Sequence, residues 1–217
     1  MKILDIKNIK YRADNTDILR GISLDINKGD CISIIGASGS GKSTLLKLCA
    51  DLMPLESGEI LYKGKGYNSY DPLELRRKIS YCVQSAYLFG KTVYDNLEFP
   101  FIVRGQGVDN KRINELLNKF NLDEEFLKKD INSLSGGEKQ RVALIRNLVY
   151  IPEIILLDEA TAALDKENAK AVEDIIKNIN KNGVTVLWIT HSLEQSENIF
   201  NKRITMESGK LINEERF

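Results

Sequence analysis

The sequence predicts an α/β fold: a largely parallel sheet with crossover helices, an N-terminal antiparallel β layer, and a helical segment inserted into the α/β core. Three observations predict it. Short, continuous apolar runs recur at CISII (31–35), EIILLD (153–158) and VTVLWIT (184–190), as expected of strands buried on both faces. Helix-like stretches, KSTLLKLCADL (42–52) and NAKAVEDIIKNINK (168–181), alternate with them, which is the pattern of a layered α/β sheet. Between about residues 88 and 150 the pattern is mainly helical, with KRINELLNKF (111–120) spacing its apolar residues three and four apart.

The elements follow in chain order. ILDIKNIKYR and ILRGISLDI alternate apolar and polar residues around a polar ADNTD break, which reads as two antiparallel strands and a turn. CISII is then a buried strand, a glycine-rich turn follows, and KSTLLKLCADL is a helix. GEILYKG (58–64) returns to β structure, SYCV (80–83) reads as a strand, and the helical insertion comes next. EIILLD and VTVLWIT complete the sheet. The expected organisation is one domain over 1–217, in which 1–87 and 151–217 form the core with its β layer and about 88–150 the helical subdomain.

With 217 residues the chain can bury one large core without covalent staples. Thirty-one basic residues balance thirty-one acidic ones, which argues against a whole-chain field drawing the protein to nucleic acid or an anionic membrane. Cys31, Cys49 and Cys82 are odd in number, widely spaced and set among apolar or small residues, so they read as core rather than a disulfide framework or zinc site. Charges at Lys2, Asp5 and Lys7 leave no room for a signal peptide, so the mature chain is expected to begin at Met1. No run approaches the roughly 20 apolar residues that span a bilayer, so any membrane role must come through a partner.

Three strand ends carry the candidate chemistry. Gly36, Ala37, Ser38, Gly39, Ser40, Gly41, Lys42, Ser43 and Thr44 satisfy G-x-x-x-x-G-K-[ST] between a predicted strand and a predicted helix. Glycines let the backbone aim several N–H groups at phosphate oxygens, and the helix adds its positive N-terminal end. Lys42 would reach the β- and γ-phosphates and Ser43 would ligate magnesium. A Gly-Ser linker would not sit between two segments that must pack. Asp158, ending an apolar strand, is the expected holder of the magnesium shell. Glu159, one residue on, either polarises the attacking water or is an acid near a helix start. His191, the sole histidine, follows the third strand; a lone histidine is commonly structural, but convergence of the three strand ends raises a γ-phosphate contact above that reading.

At LSGGEKQR (134–141) the chain resembles the ATP-binding cassette family. The resemblance spans essentially the whole sequence, with its motifs in family order: the glycine-rich loop, Gln84, LSGGE, Asp158 and Glu159, ALD at 163–165, and His191. It implies a P-loop NTPase (RecA-like) core and an inserted α-helical subdomain carrying the signature. It further implies ATP and Mg2+, with each ATP held between one subunit's glycine-rich loop and the other's Ser135, Gly136, Gly137 and Glu138. SGGE in isolation could also be a capped helix start. By position, the resemblance assigns Tyr11 to adenine stacking, Gln84 to the magnesium and water region, and Asp165 to the loop crossing to the other subunit. Tyr11, read here as lying in an edge strand, could instead be packing. Two departures, Glu138 where the family often has Gln and Ala162 where Ser is common, are expected to tune the dimer contact.

YCVQSAYLFGKTVYDNLEFPF, GEKQRVALIRNLVYIPEIILLDEATAALD and VLWITH look more narrowly like the ATPase subunit of bacterial two-component iron-export transporters. That implies a homodimer formed on ATP binding and a separate integral-membrane subunit, met around Ala86 to Asn96. YLFG in that stretch could equally be insertion core. The chain would then be cytoplasmic and peripheral on the membrane. A soluble non-transport ATPase and a nucleotide-gated regulatory module are the alternatives; a nucleic-acid role would require a coiled-coil insertion, a second cassette or a basic surface, and the sequence has none.

Overall fold

Alternation of apolar and polar residues makes the first two strands, β1 (Lys2–Ala13) and β2 (Thr16–Asn27), which pair antiparallel. Their apolar positions turn inward: Ile3, Leu4, Ile6 and Ile9 of β1 and Leu19, Ile22, Leu24 and Ile26 of β2 are buried. The intervening turn places Asp14 and Asn15 at positive φ, 45° and 64°, a conformation these short polar side chains tolerate. The computed structural model describes residues 1–190 and 199–217. By density of internal contacts the chain divides into two units, Met1–Tyr81 with Pro152–Asp158 and Ile179–Phe217, and Cys82–Ile151 with Glu159–Asn178.

In the first unit, β3 (Cys31–Ile35) leads into α1 (Lys42–Cys49), and β4 (Ser57–Tyr62) and β5 (Lys65–Gly66) complete a four-stranded antiparallel layer in the order β2-β1-β4-β5. A short helix, α2 (Pro72–Lys78), capped by Asp71, precedes β6 (Ile79–Cys82). β7 (Ile154–Asp158), β8 (Thr185–Ile189), β9 (Lys202–Glu207) and β10 (Lys210–Arg216) join β3 and β6 in a six-stranded sheet ordered β10-β9-β3-β8-β7-β6. β3 runs parallel to both β8 and β9, and β7 runs parallel to β8, with Leu156 opposite Leu187 and Ile34 opposite Ile189. Every residue of β7 and β8 is buried, which explains why all but Asp158 and Thr185 at their ends are apolar. Because β3 and β7 point the same way, the glycine-rich loop and Asp158 emerge from the same edge of the sheet.

The core beneath this edge packs Ile32 and Ile34 of β3, Leu45 and Leu46 of α1, and Leu156 and Leu187 against the β1–β2 hairpin. Each fully buried side chain of this kind contributes roughly 1.5–3 kcal/mol. Cys31, Cys49 and Cys82 are buried and unbonded, as their surroundings predict, and burial pushes their thiols up to about 12, which keeps them protonated.

The second unit is helical: α3 (Val93–Ile102), α4 (Asn110–Lys119), α5 (Gly136–Leu148) and most of α6 (Lys166–Lys181). Ile113, Leu116 and Leu117 of α4 and Val142, Leu144, Ile145 and Leu148 of α5 are buried, the three-and-four spacing visible in the sequence. Thr92 and Asp95 form a reciprocal capping box at α3, and Asp109 caps α4.

Candidate functional site

The loop after β3 can be built only from glycine at its ends. Gly36 lies at φ 146°, and a Cβ there would stand 2.1 Å from the Met206 carbonyl oxygen of β9. Gly41, at φ 95°, would meet Leu19 Cδ2 at 2.7 Å and the Ile18 carbonyl at 2.9 Å. The loop is therefore pressed between the β1–β2 hairpin and β9, and the Gly209 N–H ties it further by donating to the Ser40 carbonyl at 3.2 Å. Ala37, Ser38 and Gly39 face solvent, while Ser40 is buried.

α1 begins on Gly41 without a side-chain cap and with no acid in its first turn. α2 to α5 are all capped, by Asp71, Thr92, Asp109 and Ser135. The start of α1, with the N–H groups of Ser43 and Thr44, is thus open to an anion from outside, with the helix dipole adding to the attraction. Lys42 is buried and folds back over the loop, its Nζ donating to the Gly36 and Ala37 carbonyls at 2.8 Å each. Its ammonium group is held at the start of the loop.

Ser43 and Asp158, 115 positions apart in the chain, meet at the sheet edge: the Ser43 hydroxyl donates to Asp158 Oδ1 at 3.1 Å. The other oxygen, Oδ2, accepts from the Tyr81 hydroxyl at 2.7 Å. A hydroxyl and a buried carboxylate at the mouth of the glycine-rich loop are hard oxygen donors of the kind magnesium takes. The residues fit the ion. Among the described residues no cluster of three or more His, Cys, Asp or Glu is placed to hold a metal. A magnesium site of this composition needs none.

Tyr11 lies in β1, which is flanked by β2 and β4 and is not the edge strand its sequence suggests. It is half-buried and lines a cavity of about 510 Å³ together with Lys10, Arg12, Asp17, Leu19, Arg20 and Glu56. The Glu56 carboxylate accepts from the Arg12 backbone N–H at 3.0 Å, and Arg12 Nε donates to Asp17 at 2.9 Å.

In the helical unit, Gln84 Nε2 donates to Glu159 Oε2 at 2.8 Å. Glu159 has φ 49°, a left-handed conformation uncommon for a residue with a side chain and often found where function fixes the backbone. Ser135 caps α5 reciprocally: its hydroxyl accepts from the Glu138 N–H at 3.3 Å, and its own N–H donates to Glu138 Oε2 at 2.8 Å. That backbone bond, with Lys129 3.5 Å away, holds the Glu138 carboxyl below the usual carboxylate range. SGGE is thus a capped helix start, with Gly136 exposed and Gly137 half-buried.

A Cβ on Gly137 would lie 3.2 Å from the Ala163 carbonyl, so the signature touches the loop ending in Asp165. Asp165 is exposed and accepts from the Asn168 N–H at 2.9 Å and side-chain amide at 2.8 Å. Arg141 of α5 donates to the Asn168 side-chain oxygen at 2.9 Å, which joins the two segments a second time. His191 lies outside the described residues. Sequence reasoning missed Tyr81, whose signal is one aromatic residue in a four-residue strand, and it missed the β9–β10 hairpin that shapes the loop.

Comparison with known proteins agrees with this geometry. The family profile described as ABC transporter matches residues 19–162. The probable iron export ATP-binding protein FetA of Escherichia coli (strain K12) is 41% identical over 206 residues, 94% of this chain and 91% of its own. The lipoprotein-releasing system ATP-binding protein LolD of Aquifex aeolicus (strain VF5) is 36% identical over 220 residues, covering 98% of this chain and 97% of its own. Among solved structures, a dimeric post-hydrolysis state of the ATP-binding cassette MJ0796, bound to ADP and Pi, superposes with a TM-score of 0.89 at 33% identity over 98% of both chains.

Proposed function

The chain belongs to the ABC transporter family, and from that premise we propose that it is the ATP-hydrolysing subunit of a bacterial transporter, working as a homodimer beneath a separate membrane-spanning subunit. The observation that carries this reading is the Ser43–Asp158 hydrogen bond, which joins an uncapped, glycine-led helix to the acid at the end of β7, two strands away from β3 in the sheet. A loop built only to turn would need neither a helix start without a side-chain cap nor the ion-holding pair.

In this reading the α1 N-terminus and Lys42 bind the phosphates, Tyr11 stacks on the adenine, and Ser43, Asp158 and Gln84 hold the magnesium ion. Magnesium bound there neutralises charge on the β- and γ-phosphate oxygens. Glu159, next in the chain after Asp158, orients water in line with the γ-phosphate and takes up its proton. His191 contacts the γ-phosphate. Ser135, Gly136 and Gly137 of the second subunit close over it, and Asp165 crosses the dimer contact. The dimeric state of the MJ0796 cassette supports the shared site, since a capped helix opening on two glycines is a second anion-binding end.

Among the described residues no helix is long and apolar enough to cross a membrane. Docking to a membrane partner is supported by the end of α3, where Phe99, Ile102 and the capping Val103, spaced three and four apart, are exposed, and by the exposed Tyr87 in the loop before it. Of YLFG, Leu88 and the half-buried Phe89 serve as core, and Phe89 stacks edge-on against Phe99 with ring centroids 4.8 Å apart. The chain then sits on the cytoplasmic face of the membrane. Iron or another metal as the exported substrate is supported by the similarity to FetA, and would be sunk by normal intracellular iron and iron tolerance in a strain lacking this gene.

The deciding experiment measures steady-state ATP hydrolysis against protein concentration, with and without magnesium, for wild type, Lys42→Ala, Ser135→Arg and Glu159→Gln. Superlinear, magnesium-dependent turnover lost in all three variants is expected. Turnover linear in concentration and indifferent to Ser135→Arg would make this a monomeric enzyme.

A further inference from the structure

Asp158 is buried with 3% of its surface exposed, and a buried carboxylate must have its oxygens satisfied in a fixed direction to serve as a ligand. Ser43 takes Oδ1 at 3.1 Å, but a hydroxyl that is itself expected to turn toward an ion cannot also fix the carboxylate. Tyr81 supplies the other constraint. It lies on β6, packs against the hydrophobic core, and donates its phenol O–H to Oδ2 at 2.7 Å, a short bond typical of a charged acceptor. With Oδ2 held from the side of β6, rotation about the Cβ–Cγ bond is blocked and Oδ1 is aimed at the first turn of α1.

We propose that Tyr81 is a positioning residue for magnesium: its phenol orients the Asp158 carboxylate so that Oδ1, beside Ser43, is presented to the ion that accompanies ATP. The inference rests on the reading of Ser43 and Asp158 as the ion-holding pair. Tyr81 itself touches neither the ion nor the nucleotide. Hydrogen-bond partners of this outer kind typically alter metal affinity by 10–100-fold when removed.

The test binds a fluorescent, non-hydrolysed ATP analogue to wild type and Tyr81→Phe, first in EDTA and then over a Mg2+ titration, with thermal melting of the nucleotide-free proteins alongside. The expected result is affinity in EDTA equal within about twofold, and a magnesium-dependent gain in affinity smaller by roughly tenfold in Tyr81→Phe. Tyr81→His, whose ring N–H ends short of the phenol oxygen's position, should lose the same part of that gain, and it carries the test if the Phe variant does not fold. A full magnesium gain in Tyr81→Phe overturns the proposal. Equal losses in EDTA and in magnesium also overturn it, because they mark the phenol as support for the fold alone. A wild-type protein that shows no magnesium gain at all sinks the Ser43–Asp158 reading first, and the role of Tyr81 with it.

Discussion

Gln84 and Glu159, 75 positions apart in the chain, share a 2.8 Å hydrogen bond in which the amide of Gln84 donates to the carboxylate. The bond engages Oε2 and so fixes the direction of the carboxylate. Glu159→Gln retains the shape and an acceptor oxygen but cannot take up a proton. Turnover should fall by at least about 100-fold, as for loss of a general base, while equilibrium ATP affinity stays within about twofold. Phosphate release and nucleotide titration on the same preparation check this, and unchanged turnover removes Glu159 from its assigned role.

Gly36→Ala should abolish nucleotide binding. The new Cβ would stand 2.1 Å from the Met206 carbonyl, which is backbone of a paired strand and cannot swing aside. Relief would require moving either β9 or the phosphate-binding loop, at a cost of order 1–3 kcal/mol or more. A lowered melting temperature together with lost binding of the ATP analogue is expected. Wild-type affinity would show that the loop tolerates displacement.

Much of this architecture is legible in the sequence because burial on both faces leaves an unbroken apolar signature. CISII, IILLD and TVLWI are all strands for that reason, and the glycine-rich loop is recognisable because phosphate binding needs a strand, a turn and a helix in immediate succession. Other features depend on contacts between distant segments and leave no local trace. KRITMESGKLINEER has no unbroken apolar run and goes unread, yet it forms β9 and β10 and supplies the carbonyl that makes Gly36 obligatory. Tyr81 looks like any strand aromatic until Asp158, 77 positions later, arrives beside it. The place of β1 inside its layer follows only from the return of β4, which no periodicity within β1 encodes.

The cap on α5 makes a prediction about pH. The Ser135 N–H holds the Glu138 carboxyl below its ordinary value in the folded state, so the folded protein binds this proton less readily than the unfolded chain. The resulting stabilisation is present above the unfolded pKa, roughly 4.3, and is lost as pH falls through the depressed folded value. Glu138→Gln keeps an acceptor but removes the titration. Its melting temperature should lie below wild type at pH 7, and the gap should narrow below about pH 4. A gap independent of pH would assign the difference to geometry alone. Ser135→Ala should cost about 1 kcal/mol at every pH, since it removes the cap itself.

Tyr87 and Asn96 separate folding from docking within one short stretch. Asn96 is completely buried and fully used: its amide donates to the Phe89 carbonyl at 2.8 Å and the Thr92 carbonyl at 3.1 Å, and its oxygen accepts from the Phe89 N–H at 3.1 Å and from Arg146 at 2.9 Å. Asn96→Leu strands these groups, including a guanidinium whose charge burial already disfavours, and should destabilise by about 3 kcal/mol in chemical denaturation. Tyr87 lies in the loop before α3 with 74% of its surface exposed, and the Arg146 bond to it uses only its backbone carbonyl. Tyr87→Ala should therefore change stability by less than about 0.5 kcal/mol and leave the isolated protein's turnover unaltered. If the α3 face and Tyr87 meet a membrane partner, the same variant should lose most of the change in turnover that reconstitution with that partner produces. Full coupling in Tyr87→Ala would move the docking surface elsewhere, and a large stability loss would show that the loop depends on the ring after all.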